Sequence, residues 1–308
     1  MNKVRRTAAR YPYRVRSRTR REFLGDSGRL LAAGSASIVF GSLFSGCGSG
    51  SNGALTADVQ IVQRFPQNLV TGPVRLPISL ANNGGLLTVS DDTPAELSAR
   101  IERIDGGRDE VVIDNVLATR HDAGISTPYW PFTLNVATAG FYRLVLDGGP
   151  QDGAAFQVFE RGEIAVPSVG DRLTPFDTPT FDDARGVEPI CTRQPEPCRL
   201  HDVTLREALS SGVAVALLVG TPAHCSTGTC APALDALLSL AERDDTGVKL
   251  IHAEVYADPN ATKVAPIVEA LAMNYEPALF LTDESGVVTA RLDAVFDEVE
   301  LRAVIDGR

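Results

Sequence analysis

The spacing of apolar residues changes near residue 200, and this change constrains the fold more than any other feature. Between residues 58 and 162, apolar and polar residues alternate over short segments that are separated by turn sequences such as Asn82-Asn83-Gly84-Gly85. From residue 201 onward, continuous apolar segments alternate with segments whose apolar residues have helical spacing. Short alternation is typical of half-buried strands, and alternating strands and helices are typical of α/β domains. We therefore predict two domains, an all-β domain followed by an α/β domain.

The first of these domains, residues 58–162, is predicted to be a β-sandwich. Its expected strands cover 59–62, 74–78, 96–101, 111–113, 129–134, 141–146 and 155–159. Strands of this number and spacing without helical periodicity favour a sandwich, with Trp130 as a core anchor. Residues 139–144 resemble the penultimate strand of immunoglobulin-like domains, in which a tyrosine, here Tyr142, packs at a corner. His121 is expected to stand alone in a polar loop, and the segment shows no catalytic constellation.

The N-terminus carries two targeting patterns. Thr19-Arg20-Arg21-Glu22-Phe23-Leu24 resembles the twin-arginine export signal, and Leu43-Phe44-Ser45-Gly46-Cys47 resembles the lipobox of bacterial lipoproteins, with Phe44 where leucine is usual. The resemblance implies that residues 1–46 are a signal peptide and that Cys47 is lipidated. Residues 47–57 are expected to form a flexible Gly/Ser tether. The implied location is the outer face of the cytoplasmic membrane or the periplasm, with a lipid anchor in the membrane.

Charge is distributed unevenly along the chain. The first 46 residues contain ten Lys and Arg against two acidic residues, whereas the whole chain has a net charge of −10. The remainder is therefore strongly acidic. Binding of nucleic acid depends on clustered basic residues that contact phosphates, so the composition argues against a nucleic-acid partner.

Four cysteines remain beyond Cys47, namely Cys191, Cys198, Cys225 and Cys230. An even number in an exported chain favours disulfides, and the spacing favours 191–198 and 225–230 among the three pairings. Residues 163–200 are rich in Pro, Thr and Asp and are predicted to be an interdomain connector. We expect a structural disulfide between Cys191 and Cys198, because two prolines stiffen their loop; a second redox pair is the alternative.

Residues 201–308 are predicted to have the element order α-β-α-β-α-β-β-α. Within this order, a cysteine pair follows the buried strand 213–220 and precedes a helix, and Glu276-Pro277 opens a later strand. These features together resemble the thioredoxin superfamily over about one third of the chain. The resemblance implies a thioredoxin-like fold and a cis Pro277 that packs against the active-site sulfurs.

The position of this cysteine pair suits nucleophilic chemistry. A helix N-terminus lowers a thiol pKa because it offers partial positive charge and free N–H groups, and this helix is expected to begin near Thr229. Cys225, nearer the surface, is predicted to be the attacking thiol, and Cys230 is predicted to resolve the mixed disulfide. His224 either favours the thiolate when protonated or is a loop histidine without a role. His252 and Glu254 lie on the same face of a strand. They either shuttle protons or are a core or surface pair whose hydrogen bonds are satisfied.

Two features depart from thioredoxins. The spacing is Cys-x4-Cys rather than Cys-x2-Cys, and the strand before the motif carries no buried carboxylate. The redox direction therefore cannot be transferred from the family. The predicted function is an extracytoplasmic thiol–disulfide oxidoreductase that needs no cofactor, acts on protein thiols or disulfides and exchanges electrons with an unidentified donor or acceptor.

Three alternatives remain open. The first is a non-catalytic envelope lipoprotein with structural disulfides and a partner-binding sandwich. The second is a peroxiredoxin-like peroxidase, which also spaces its cysteines by four residues; however, Leu218 and Pro222 stand where that family has its Pro and its peroxide-binding Thr. The third is a copper carrier of the Sco type, which uses a late histidine, whereas this chain has none after His252.

Overall fold

The computed structural model describes residues 55–105, 107–243 and 246–307. The predicted signal peptide, the lipidation site Cys47 and most of the predicted tether lie outside these residues. Within the described ranges, no helix combines the length and the apolar character needed to cross a membrane.

Residues 58–162, which we call the β unit, contain nine strands in two sheets. The strands are β1 (Gln60–Gln63), β2 (Leu69–Val70), β3 (Gly72–Asn82), β4 (Gly85–Leu86), β5 (Glu96–Arg103), β6 (Glu110–Thr119), β7 (Trp130–Val136), β8 (Gly140–Leu146) and β9 (Ala154–Phe159). One sheet joins β1, β3, β4 and β7, and the other has the order β2-β9-β8-β5-β6. All seven predicted strands are confirmed. Only the two-residue strands β2 and β4 were not predicted, because such short pieces show no alternation.

The two sheets of the β unit share one core. Strand β7 alternates between buried and more exposed positions, which places Trp130 and Phe132 on its inner face. These side chains belong to the same buried cluster as Leu144 and Phe156 of the second sheet. Trp130 is fully buried, as predicted, and its Nε1 donates a hydrogen bond to the Pro94 carbonyl at 3.2 Å. Apolar burial on the inner faces therefore holds the sheets together.

The C-terminal elements have the predicted order. They are α1 (Leu205–Ser210), β10 (Ala214–Val219), α2 (Cys230–Ala241), β11 (Val248–Ala253), α3 (Pro266–Ala270), β12 (Ala278–Thr282), β13 (Val288–Asp293) and α4 (Glu298–Asp306). They form a sheet of order β11-β10-β12-β13, in which β10 runs parallel to β11 and antiparallel to β12. The described chain is thus a β-rich fold with three sheets.

Helices cover both faces of this third sheet, which explains why β10 is apolar throughout. All six residues of β10 are buried. Val215 and Leu217 pack in the cluster that includes α1 and α3, whereas Ala216 and Leu218 pack in the cluster that includes α2 and α4. A central strand that is buried on both sides requires a continuous apolar run, as the sequence predicted. The loop that follows β10 is thereby held at the edge of a rigid core.

The segment 163–200, predicted as a connector, contains no helix or strand but packs closely on the C-terminal sheet. Val166, Leu173 and Val187 join the core cluster beneath α1 and α3. Cys191 and Cys198 join the cluster on the opposite face. The segment therefore belongs structurally with the C-terminal elements, and we call residues 163–307 the α/β unit.

Buried polar contacts join the β unit to the α/β unit. Arg75 forms an ion pair with Glu300, with Nε and Oε1 2.6 Å apart, and the Tyr129 hydroxyl donates to the same carboxylate at 2.6 Å. His121 Nδ1 lies 2.9 Å from a carboxylate oxygen of Asp297, the residue that caps α4. The expectation that His121 stands alone was wrong, because its loop lies against the start of α4. These contacts fix the β unit beside the α/β unit.

Candidate functional site

Cys225 and Cys230 lie in the segment that leads from the end of β10 into α2. Helix α2 begins at Cys230, after Thr229, and Cys225 lies on the preceding loop. Cys225 is partly exposed, whereas only 1% of Cys230 is accessible. The backbone N–H of Cys230 points at Cys225 Sγ over a distance of 3.4 Å. The structure therefore brings the two predicted redox residues together, with the outer thiol against the helix N-terminus.

The surroundings of Cys225 stabilise its thiolate. The hydrogen bond with the Cys230 side chain is the largest influence and lowers the pKa of Cys225 to about 5, although burial acts against it. The Thr227 hydroxyl, 3.2 Å from Sγ, and the N–H groups of Thr229 and Cys230 act in the same direction. Hydrogen bonds to the charged form of a group favour that form. Cys225 is thus a thiolate near neutral pH, which is the nucleophilic form.

Cys230 has the opposite environment. Burial and the neighbouring Cys225 raise the pKa of Cys230 well above its usual value. Its Sγ lies 3.5 Å from Oε2 of Glu276, which is a second acceptor for the thiol proton besides Cys225, and the same oxygen accepts the backbone N–H of Thr221 at 3.2 Å. Burial raises the pKa of Glu276 to about 8, and the charge on Cys225 acts in the same direction. Cys230 is therefore a protonated thiol in contact with a buried carboxyl group that can take its proton.

Glu276 lies at the site beside Cys230, although the sequence did not single it out for a role there. The strand before the motif carries no buried carboxylate, as expected, but Glu276 supplies one from the segment before β12. The sequence offered one indication that Glu276 belongs to the site: it directly precedes Pro277, which was predicted to lie there. Pairing of β10 with β12 brings these two distant segments together.

Pro277 and Gly220 complete the wall of the site. The peptide bond between Glu276 and Pro277 is cis. A Cβ atom added to Gly220 would lie 3.3 Å from Pro277 Cβ and 3.7 Å from Cys230 Sγ. The position therefore leaves little room for a side chain. Pro277 and Cys230 pack against the same glycine, and this places Pro277 beside the buried sulfur.

Two basic residues, His224 and Arg64, belong to the surroundings of the partly exposed Cys225. The ring of His224 is half-buried and packs edge-on against Tyr256, with ring centroids 6.1 Å apart. Its role in favouring the thiolate remains a prediction. Arg64, from the segment after β1, interacts electrostatically with Cys225; burial lowers the pKa of Arg64 and the charge on Cys225 opposes this. Sequence patterns gave no sign of Arg64, because the contact joins two units that are far apart in the chain.

The second pair, Cys191 and Cys198, lies in a closed cluster with His201 and His252, which we call the Cys–His cluster. All four residues are buried, and one sulfur or ring nitrogen from each lies within 4.8 Å of the others. Cys198 Sγ is 3.3 Å from His201 Nε2 and 3.5 Å from His252 Nδ1. His201 was not singled out from the sequence, although the spacing Cys198-x2-His201 is visible there.

The thiols of this cluster are not independent. A hydrogen bond between their side chains lowers the pKa of Cys191 and raises the pKa of Cys198. The four cysteines of the described part of the chain are free thiols in this structure. The disulfide expected between Cys191 and Cys198 therefore remains a prediction.

His252 and Glu254 have separate partners. His252 Nε2 donates to the Gly220 carbonyl at 3.0 Å, and its Nδ1 faces Cys198. Glu254 accepts the backbone N–H of Thr192 at 2.6 Å and the Thr192 hydroxyl at 2.8 Å. Oε2 of Glu254 is buried without a hydrogen-bond partner, so only one oxygen of this carboxyl group is satisfied.

A short polar bridge connects the two cysteine sites. The Thr192 hydroxyl, next to Cys191, accepts the N–H of Ala223 at 3.1 Å and lies 3.4 Å from the Thr221 hydroxyl. The backbone N–H of Thr221 in turn donates to Oε2 of Glu276. The sulfurs of Cys225 and Cys230 and one oxygen of Glu276 form a second group of three donors within 4.8 Å. The loop that carries Cys225 is therefore held by the segment that carries Cys191.

Comparison with known proteins adds no assignment: no model of a protein family matches this chain, and a search of curated proteins also finds no match.

Proposed function

We propose that this protein is an extracytoplasmic thiol–disulfide oxidoreductase, with Cys225 as its nucleophile and Cys230 as its resolving thiol. The single observation that carries the proposal is the pairing of a partly exposed thiol, whose pKa is about 5, with a buried thiol at the start of α2. Structural cysteines are usually buried and inert, whereas reactive ones are partly exposed and held as thiolates.

We further propose that the α/β unit is a thioredoxin-like domain. Its element order, the cysteines between a central strand and a helix, and the cis Pro277 beside Cys230 all support this. The β unit is proposed to be an immunoglobulin-like sandwich. Its two sheets share one core, and the Tyr142 hydroxyl donates to the Thr138 carbonyl at 2.6 Å, as expected for a tyrosine corner.

The first half-reaction follows from the state of Cys225. In the reducing direction, the Cys225 thiolate attacks one sulfur of a substrate disulfide. A bond forms between Cys225 Sγ and that sulfur, the substrate S–S bond breaks, and the second substrate sulfur leaves as a thiolate. The N–H groups of Thr229 and Cys230 stabilise the negative charge on Cys225 before the attack.

The second half-reaction uses Cys230 and Glu276. Glu276, in its carboxylate form, takes the proton of Cys230, and the resulting thiolate attacks Cys225 Sγ in the mixed disulfide. The Cys225–Cys230 bond forms while the bond between Cys225 Sγ and the substrate sulfur breaks, and that sulfur leaves as a thiolate. One proton from Glu276 and one from solvent convert the two substrate thiolates into a dithiol, and Glu276 returns to its carboxylate form. The protein is oxidised by two electrons and the substrate is reduced by two. A dithiol donor must then reduce the protein again; in the oxidising direction, the same steps run in reverse.

The proposed partners are proteins at the cell envelope. Lipidation of Cys47 would hold the protein at the membrane, and the partly exposed Cys225 meets substrates outside it. Arg64 brings the β unit to the rim of the site, so this unit is proposed to contribute to substrate selection.

Trapping of a mixed disulfide tests the proposal. With a Cys230→Ser variant and a peptide that contains a disulfide, we expect a covalent complex through Cys225, detected by mass spectrometry and released by dithiothreitol. A Cys225→Ser variant is the matched control and should trap nothing. If Cys230→Ser forms no complex while circular dichroism shows it to be folded, the proposed function is wrong.

A further inference from the structure

The proposed redox reaction does not use the Cys–His cluster, yet three of its donor atoms are spaced as in a tetrahedral site, and Cys191 Sγ lies within 4.8 Å of each of them. In a zinc site with Zn–S bonds of about 2.3 Å and Zn–N bonds of about 2.0–2.1 Å, neighbouring ligand atoms lie about 3.3–3.8 Å apart. The distances from Cys198 Sγ to the two imidazole nitrogens are 3.3 and 3.5 Å, and the two nitrogens are 3.4 Å apart. The donor atoms thus already surround the space that one ion would fill.

The hydrogen bond between His252 and the Gly220 carbonyl leaves Nδ1 of His252 free to bind a metal ion. Its Nε2 lies 3.0 Å from the Gly220 carbonyl, which can only accept, so Nε2 carries the proton. Nδ1, which faces Cys198 and His201, then presents its lone pair to the cluster. Metal-binding histidines are commonly fixed by such a bond from their other ring nitrogen to a backbone carbonyl.

Burial and charge also favour a metal ion. All four residues are almost completely inaccessible to solvent. Two thiolates and two neutral imidazoles around a divalent cation have no net charge, so the complex can be buried without an unpaired ion. A disulfide between Cys191 and Cys198 would remove both sulfur donors and leave two imidazoles close together in the core.

We propose that Cys191, Cys198, His201 and His252 bind one structural Zn²⁺ ion. Two thiolates and two imidazoles in a closed tetrahedral arrangement are typical of structural zinc, which has no open position for a substrate. Binding converts two thiols into thiolates and releases their two protons to solvent. The ion would tie the segment 191–201 to β11 and, through Gly220, to the loop that carries Cys225.

Metal analysis of the full chain tests this inference. The chain is purified without chelators, with detergent to keep any lipidated form in solution, and its metals are quantified by mass spectrometry. We expect about one zinc ion per chain. A Cys198→Ser variant and a His201→Ala variant should each lose most of this zinc. Because these variants can also misfold, the wild-type chain is loaded with Co²⁺ as a second readout, which should give the absorption bands of tetrahedral cobalt bound to thiolates.

The controls separate this cluster from other groups. His121→Ala removes a histidine outside the cluster, and Cys225→Ser interrupts the neighbouring group of Cys225, Cys230 and Glu276; both variants should retain the zinc. The inference is overturned by wild-type protein without zinc, by copper or iron in its place, by a Cys191–Cys198 disulfide in the native protein, or by loss of the metal from Cys225→Ser. These outcomes do not depend on trapping at Cys225, so the two proposals can fail separately.

Discussion

Cys225 lies in a partly open loop and Cys230 begins the helix that follows, whereas Cys191 and Cys198 are enclosed with two histidines. The two pairs are near neighbours, since Gly220 touches Cys230 on one side and accepts a hydrogen bond from His252 on the other. Hydroxyl and N–H donors stabilise a thiolate that solvent can reach in the first pair. In the second pair, imidazole nitrogens face sulfurs that solvent cannot reach.

This difference shows that the chemistry of a cysteine depends more on the groups around it than on whether a second cysteine is nearby. A thiolate that is accessible and has a nearby proton acceptor is suited to exchange. A pair of sulfurs enclosed with two nitrogens is suited to hold a metal ion. The two pairs are therefore expected to respond differently to the same treatment.

The largest expected effect is the loss of turnover in Cys225→Ser. Serine is a far weaker nucleophile, so reduction of a peptide disulfide should fall to the rate of the uncatalysed exchange. The metal content should stay as in the wild type. Cys198→Ser, in contrast, is expected to lose the metal. This loss should also lower the free energy of unfolding by about 4 kcal/mol. Equal effects of both variants on turnover and on metal would contradict the contrast.

The second expected effect is selective alkylation of Cys225. Because the pKa of Cys225 is about 5, its thiol is almost fully ionised at pH 7, whereas the pKa of Cys230 lies well above 9. Iodoacetamide should therefore modify Cys225 more than about a hundredfold faster than Cys230, Cys191 or Cys198. The rate should fall as the pH drops through about 5, since the thiolate gains a proton there. Peptide mapping by mass spectrometry identifies the modified residue, and uniform labelling would count against the assignment.

The sequence predicted the fold better than it predicted the site. Alternation and helical spacing located the seven main strands of the β unit and all eight elements of the α/β unit, because these patterns arise directly from burial. Cys225, Cys230 and Pro277, which were predicted to share one site, lie close together in the structure. Glu276, His201 and Arg64 were missed as parts of the sites. Their contacts depend on strand pairing or on the packing of distant segments, which a single sequence does not reveal.

A smaller effect is expected from Glu276→Gln. Without a carboxylate to take the proton of Cys230, the second half-reaction should slow by up to about a hundredfold. The trapped complex with Cys225 should accumulate in this variant even though Cys230 is intact. Wild-type turnover should rise with pH through about 8, because the pKa of Glu276 lies there and the carboxylate form is needed. The variant should lack this rise; an unchanged pH profile would remove Glu276 from the mechanism.

The smallest expected effect concerns Arg64→Gln. Hydrogen bonds are the main influences that lower the pKa of Cys225, and Arg64 is not among them, so the loss of this cation should raise the pKa of Cys225 only slightly. We expect the alkylation rate of Cys225 at pH 5 to fall about twofold, with little change at pH 7. Arg100→Gln, on β5 of the same unit and paired with Glu102, is the matched control and should leave the rate unaltered. A larger loss in the control than in Arg64→Gln would contradict a local effect.

The most direct test is the reduction potential of the two pairs, measured separately. The full chain is equilibrated in glutathione or dithiothreitol buffers, quenched in acid and mapped for oxidised cysteines by mass spectrometry. We expect Cys225 and Cys230 to titrate as a two-electron couple between about −120 and −270 mV, while Cys191 and Cys198 remain thiolates protected by their metal. A Cys225–Cys230 bond that persists below about −300 mV, or thiols that never oxidise, would contradict the proposed redox role of this pair.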